Sequence, residues 1–220
     1  MAKVLVVLSG CGVSDGTEIH EAVSTLIHLD RHEAQYTMSA PDRPQTRVYD
    51  HAKGEVASKA NRNVLTESAR IARGEIMPLH QANGADFDAV IFPGGFGAAL
   101  NLCTFASDGA NCSVDEDVRR VILEARQAGK VIAFICIAPA IAAAVLGNDY
   151  HPKLTIGNDK NTAAGLEALG AVHVDTPTTA ICVDEENRIV STPAYMCATR
   201  PSEVYEGIGT LVDKVLAMCG

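Results

Sequence analysis

The sequence predicts an α/β protein built on one mostly parallel sheet covered by helices on both faces. Three observations predict it. Short apolar runs rich in β-branched residues recur along the chain, clearest at 4–8, 88–92 and 131–135. These runs are apolar nearly throughout rather than alternating, as strands buried on both faces are. Segments of helical period lie between them, the order expected when crossover helices join parallel strands.

The first run, 4–8, ends in the turn cluster Ser9-Gly10-Cys11-Gly12. Helical spacing follows over about 17–29, with Ile19, Val23, Leu26 and Ile27 on one side and Asp15, Thr17 and Glu18 as start signals. A second strand is predicted over 35–39, stopped by Ala40-Pro41-Asp42, and a shorter extended piece over 47–51. Residues 63–73 read as a helix stopped by Gly74. The run 88–92 ends in Pro93-Gly94-Gly95-Phe96-Gly97. An amphipathic helix over 114–127 closes at Gly129, then a strand over 131–135 and a helix over 139–146 follow. The last third carries extended pieces at 154–156, 172–174, 181–183 and 189–192, a helix over 162–169, and a closing amphipathic helix over 202–218. No linker, repeat or low-complexity tract divides the chain, so 1–220 reads as a single domain.

Bulk properties narrow the function. The formal net charge of -9 repels phosphate backbones and anionic membrane faces, which argues against nucleic-acid and membrane partners. The seven cysteines include no CxxC pair, so neither a zinc ribbon nor a disulfide framework is indicated, and a reducing, cytosol-like compartment fits. Met1-Ala2-Lys3 runs straight into the first strand and leaves no room for a targeting peptide. The apolar stretch 131–146 is interrupted by Pro139 and is too short for a membrane span. A cytoplasmic protein is the expectation.

Three groups of residues can carry chemistry, because sites in such sheets form at the carboxyl ends of strands. Cys136 follows the strand over 131–135 and precedes Pro139, which suits the first turn of a helix. A strand-to-helix turn aims its thiol over the sheet and near a positive helix end, which favours thiolate. The other reading is a core cysteine that continues the strand. Gly94 and Gly95 let bare backbone approach a ligand, and the Gly95 and Ile137 amides form a natural oxyanion pair. A tight turn that needs glycine explains the same residues. Glu18 and Glu21 share one helix face, where a carboxyl group can exchange protons with the thiol, or where two acids simply meet solvent at a helix start. Cys11, in the first turn, is either a second thiol of the same pocket or a turn residue. His28 and His32 have metal-ligand spacing but no third ligand, so no metal is expected.

As a set these stretches resemble the ThiJ/PfpI superfamily, whose fold is class I glutamine amidotransferase-like, and within it the ElbB-type glyoxalase branch. The resemblance rests on 8–13, 15–22, 62–65, 92–99, Cys136-Ile137-Ala138-Pro139 and 192–196, which together span nearly the whole chain. It implies a flavodoxin-like three-layer sandwich, a homodimer, Cys136 as the elbow cysteine and Glu21 as the carboxyl group that contacts it. It further implies a cofactor-free glyoxalase that turns glyoxal, a small dicarbonyl, into glycolate, and a tie to isoprenoid biosynthesis. The sequence departs from the superfamily pattern at Ile137, where many members carry a histidine, and it has none in 155–158 either. Without that imidazole, amidotransferase or protease chemistry is not expected. Competing functions are a redox or stress-responsive cysteine protein, a protein deglycase, and a binding module for a small metabolite or a partner's tail.

Overall fold

The computed structural model describes all 220 residues. The first half of the chain runs β1 (Lys3–Val7), α1 (Ile19–Arg31), β2 (Gln35–Ala40), β3 (Tyr49–Asp50), β4 (Glu55–Val56), α2 (Val64–Ile71), β5 (Met77–Pro78), β6 (Ala89–Phe92), α3 (Phe96–Leu100) and α4 (Phe105–Asp108). The second half runs α5 (Glu116–Gln127), β7 (Val131–Ile135), α6 (Pro139–Tyr150), β8 (Lys153–Leu154), α7 (Lys160–Ala168), β9 (Val172–His173), β10 (Cys182–Asp184), β11 (Ile189–Thr192) and α8 (Pro201–Cys219).

Seven strands form the central sheet in the order β10-β11-β7-β6-β1-β2-β5. All neighbours pair in parallel except β10, which runs antiparallel to β11 at the edge. This is the flavodoxin-like arrangement. Strand alternation assigns the two cores. Val4, Val6, Ile91, Ala133 and Ile135 face α1, α2 and α8. Leu5, Val7, Phe92, Ile132 and Phe134 face α5 and α6. Every residue of β6 and β7 is buried, which explains their unbroken apolar sequence.

Strand order also places the site. The chain leaves β1 toward β2 on one side and returns to β6 on the other, so the crevice for a ligand opens at the β1/β6 switch point. Because β1, β6 and β7 are neighbours, the turns after Val7, Phe92 and Ile135 meet at one edge of the sheet.

One helix face differs from its sequence pattern. In α1 the aliphatic side chains Ile19, Val23 and Ile27 are exposed, while Glu21, Ala22, Ser24, Thr25 and Leu29 are buried. Small side chains at 22, 24 and 25 let the helix sit close to its neighbours, and the Thr25 hydroxyl donates to the Glu21 carbonyl at 2.8 Å. His28 and His32 tie α1 to α8. The His28 Nε2 lies 3.0 Å from the Tyr205 carbonyl, and the His32 Nε2 lies 2.7 Å from an Asp213 oxygen.

The Phe92 and Phe134 rings stack at 5.1 Å between centroids, both fully buried on adjacent strands. Phe134→Ala opens a cavity there, and urea unfolding is expected to show a loss of about 3–5 kcal/mol with an unchanged slope.

Candidate active site

Cys136 sits at the first residue after β7 with φ of 62°, a left-handed conformation that a side-chain-bearing residue adopts only where its surroundings enforce it. Its amide donates to the Thr192 carbonyl at 3.0 Å, which pins the turn to β11. Pro139 then opens α6. The elbow thus holds the thiol off the strand line and over the end of the sheet.

Glu18 and Glu21 are both buried rather than solvated. Glu18 caps α1, its Oε2 accepting the Glu21 amide at 2.7 Å. The Glu21 side chain, 0% exposed, points inward. Its Oε2 accepts the Gly94 amide at 2.9 Å, and its Oε1 accepts the Tyr195 amide at 3.3 Å. The same carboxyl group lies beside the Cys136 thiol, both flanking Gly94, and each shifts the proton affinity of the other. Two predicted site residues 115 positions apart, 136 less 21, therefore form one unit.

Burial governs the ionisation of this pair. It pushes Glu21 up to about 8, with the nearby Glu18 charge adding to the effect against the three hydrogen bonds that oppose it. At neutral pH the carboxyl group is protonated. Burial and the Glu21 charge also raise the Cys136 thiol well above its usual value, although the Gly95 and Ile137 amides favour its thiolate. The sequence-based expectation of a thiolate stabilised by the helix end is corrected here. Desolvation of a thiol only 7% exposed outweighs the helix-end effect.

The glycines have steric roles. A Cβ on Gly94 would fall 2.4 Å from the Cys136 Cβ and 2.6 Å from the Glu21 Oε2. Gly95 has φ of 92°, and a Cβ there would fall 2.4 Å from the Glu18 nitrogen and the Gly16 carbonyl oxygen. Bare backbone is the condition for cysteine, acid and turn to meet. The Gly95 and Ile137 amides, read from the sequence as an oxyanion pair, both act on the Cys136 sulfur.

A cavity of about 240 Å³ opens above the thiol, lined by Val13, Glu18, Gly95, Phe96, Cys136, Ile137, Thr162, Tyr195 and Met196. Cys11 is not among them; it lies near Glu67, Asp15, Arg62 and Arg70. No cluster of three or more His, Cys, Asp or Glu side chains is arranged to hold a metal ion, and no helix is long and apolar enough to cross a membrane. All seven cysteines are free. Sequence reasoning assigned no role to Tyr195 and Met196, although the turn after β11, the strand beside β7, is where strand order places a site wall. Thr162 carried no sequence signal.

No family model matches the chain. Relatives do. Human glutamine amidotransferase-like class 1 domain-containing protein 3, mitochondrial, is 49% identical over 228 aligned positions that cover all of this chain and 84% of the human protein. The chain belongs to the glutamine amidotransferase-like class 1 domain family. A solved structure of an isoprenoid biosynthesis protein with amidotransferase-like domain from Ehrlichia chaffeensis superposes with a TM-score of 0.94 at 36% identity, each chain covered in full. A DJ-1 superfamily protein from Salmonella typhimurium, 22% identical, shares the fold with a TM-score of 0.61 over 99% of this chain and 91% of that one. The human relative of this amidotransferase-like chain, like the rat and zebrafish ES1 proteins, is named mitochondrial. That overturns the cytoplasmic expectation. Free thiols report a reducing surrounding and do not distinguish one such compartment from another.

The Glu21 carboxyl group holds its proton to about pH 8 when folded but releases it near 4.5 when unfolded. Between those values the folded state binds more protons, so stability falls as pH rises through that window and the loss is complete above it. Urea midpoints measured across the window are expected to fall for the wild type and to stay flat for Glu21→Gln. Parallel curves would show that Glu21 is ionised throughout.

Proposed function

We propose that this protein is a cofactor-free, glutathione-independent glyoxalase of the ElbB type that converts glyoxal to glycolate on Cys136. The observation that carries the proposal is a fully buried carboxyl group held beside a buried thiol at the floor of a small cavity. Such a pair can add a thiol to an aldehyde without ever placing a free charge in the pocket.

The Cys136 sulfur attacks one aldehyde carbon while its proton passes to Glu21 and the Glu21 proton passes to the carbonyl oxygen. The product is a hemithioacetal, and Glu21 is again protonated. The hydrogen on that carbon then moves as a proton, through an enediol, to the neighbouring carbon, with Glu21 giving and taking it. The C–S carbon becomes a thioester and the far carbon a primary alcohol. Oxidation at one carbon balances reduction at the other, so no outside electron carrier is needed. Water cleaves the thioester to glycolate and regenerates the thiol. An acid whose pKa is near the working pH suits both directions of this exchange. The cavity, mostly apolar and about 240 Å³, suits a small dicarbonyl better than a peptide. A sensor role is less favoured, because oxidation follows thiolate character and this thiol is held protonated.

Purified protein incubated with glyoxal and no glutathione is expected to release glycolate. Cys136→Ala is expected to abolish release, and Glu21→Gln to reduce it by about 100-fold or more. Undiminished turnover by Cys136→Ala would reject the mechanism.

A further inference from the structure

The last step of the proposed reaction, on whose reading this inference rests, needs a base where water enters. Water attacking a thioester must lose a proton as its oxygen bonds to carbon. Glu21, fully buried beside the sulfur, serves the proton exchanges there, and the cavity wall that an incoming water meets carries other ionisable groups. Ile137 stands where an adjacent imidazole would serve. The other ionisable side chains at the cavity are Glu18 and Tyr195.

Tyr195 supplies the link. Its residue walls the cavity, and its backbone amide is fixed on Glu21. Its hydroxyl lies 2.7 Å from the Nδ1 of His20, on the first turn of α1. Burial and the Glu18 and Glu21 charges push the phenol up, so it is protonated and donates. Nδ1 is therefore the acceptor, and the imidazole proton sits on Nε2. His20 is 56% exposed, open to exchange with solvent. The carboxyl group facing it is Glu18, whose Oε1 lies 3.8 Å from Nδ1. From the element packed against it, Tyr195 is the titratable neighbour.

We infer that Tyr195 and His20 form a proton relay for the hydrolytic step, with Tyr195 the catalytic group at the cavity wall and His20 the positioning residue that accepts the proton through it. Water gives a proton to the Tyr195 oxygen as it attacks the thioester carbon, and the phenol proton moves to Nδ1. The tetrahedral intermediate collapses, the C–S bond breaks, and glycolic acid leaves the Cys136 thiolate behind. The acid loses its proton to solvent, and the imidazolium proton, returned by way of solvent, restores the thiol. The imidazole absent beside the cysteine is thus supplied from α1.

The test is glyoxal turnover by the full chain, with intact-protein mass spectrometry of quenched reactions. Tyr195→Phe and His20→Gln keep the ring and a hydrogen-bonding side chain but not the relay. Each is expected to lose about 100-fold in kcat and to accumulate a glycolyl thioester on Cys136 that wild type does not hold. Wild-type kcat in both variants, or slow turnover with no accumulated thioester, overturns the relay. So does thioester accumulation in Glu18→Gln but not His20→Gln, which would make Glu18 the base. Wild-type protein that makes no glycolate removes the glyoxalase reading and the relay together. Wild-type turnover without these variant effects removes the relay alone.

Discussion

The Glu21 carboxyl group is the hub on which the site depends. It is fully buried, yet both of its oxygens are matched to backbone amides, one from the turn after β6 and one from the turn after β11. A buried carboxylate is costly even so, because amides replace only part of its hydration. The protein resolves the conflict by keeping the proton. The neutral acid then faces a thiol that burial also keeps neutral. Removing either partner changes the proton affinity of the other.

That pair exists only because three strand ends converge. Strand order brings the turns after β1, β6 and β7 together, and the left-handed turn at Cys136 swings the thiol out of the sheet. The turn after β6 then has to pass between the thiol and the acid, which leaves no volume for a side chain at 94. The turn after β1 docks against it: the Phe96 amide donates to the Val13 carbonyl at 2.8 Å and the Gly97 amide to the Gly16 carbonyl at 2.9 Å. Fold and site are a single construction. The parallel sheet supplies the meeting point, and glycine supplies the clearance.

Much of this was legible in the sequence, and the reasons are physical. The strand at Val131–Ile135 matches its predicted span, because a run buried on both faces has no polar residue to blur its limits. Its successor turn, with Pro139 just inside the helix, was equally readable. The short pieces Met77–Pro78, Phe96–Leu100 and Phe105–Asp108 were not, since two to five residues carry no periodicity. The ionisation of Glu21 and Cys136 was beyond sequence reasoning for another reason. The position of Cys136 at a strand-to-helix turn suggests a helix end that favours thiolate, whereas the sign of the shift is set by how much water the fold removes. The α1 helix is the sharpest case: its apolar residues gave the helix, but its buried face carries the acid.

The same inversion sets where the imidazole nearest the site stands. A face of α1 built from Glu21, Ala22, Ser24 and Thr25 turns the acid inward. His20, one residue earlier, is thereby left at the rim, where its ring meets the Tyr195 hydroxyl. Had Ile19, Val23 and Ile27 been the buried face, the helix would have rotated and taken Glu21 away from the thiol. The positions of acid and imidazole are thus coupled by helix geometry, because neighbours in sequence lie about 100° apart around the axis. One rotation places the Glu21 carboxyl group beside the thiol and the His20 ring at the rim, against Tyr195.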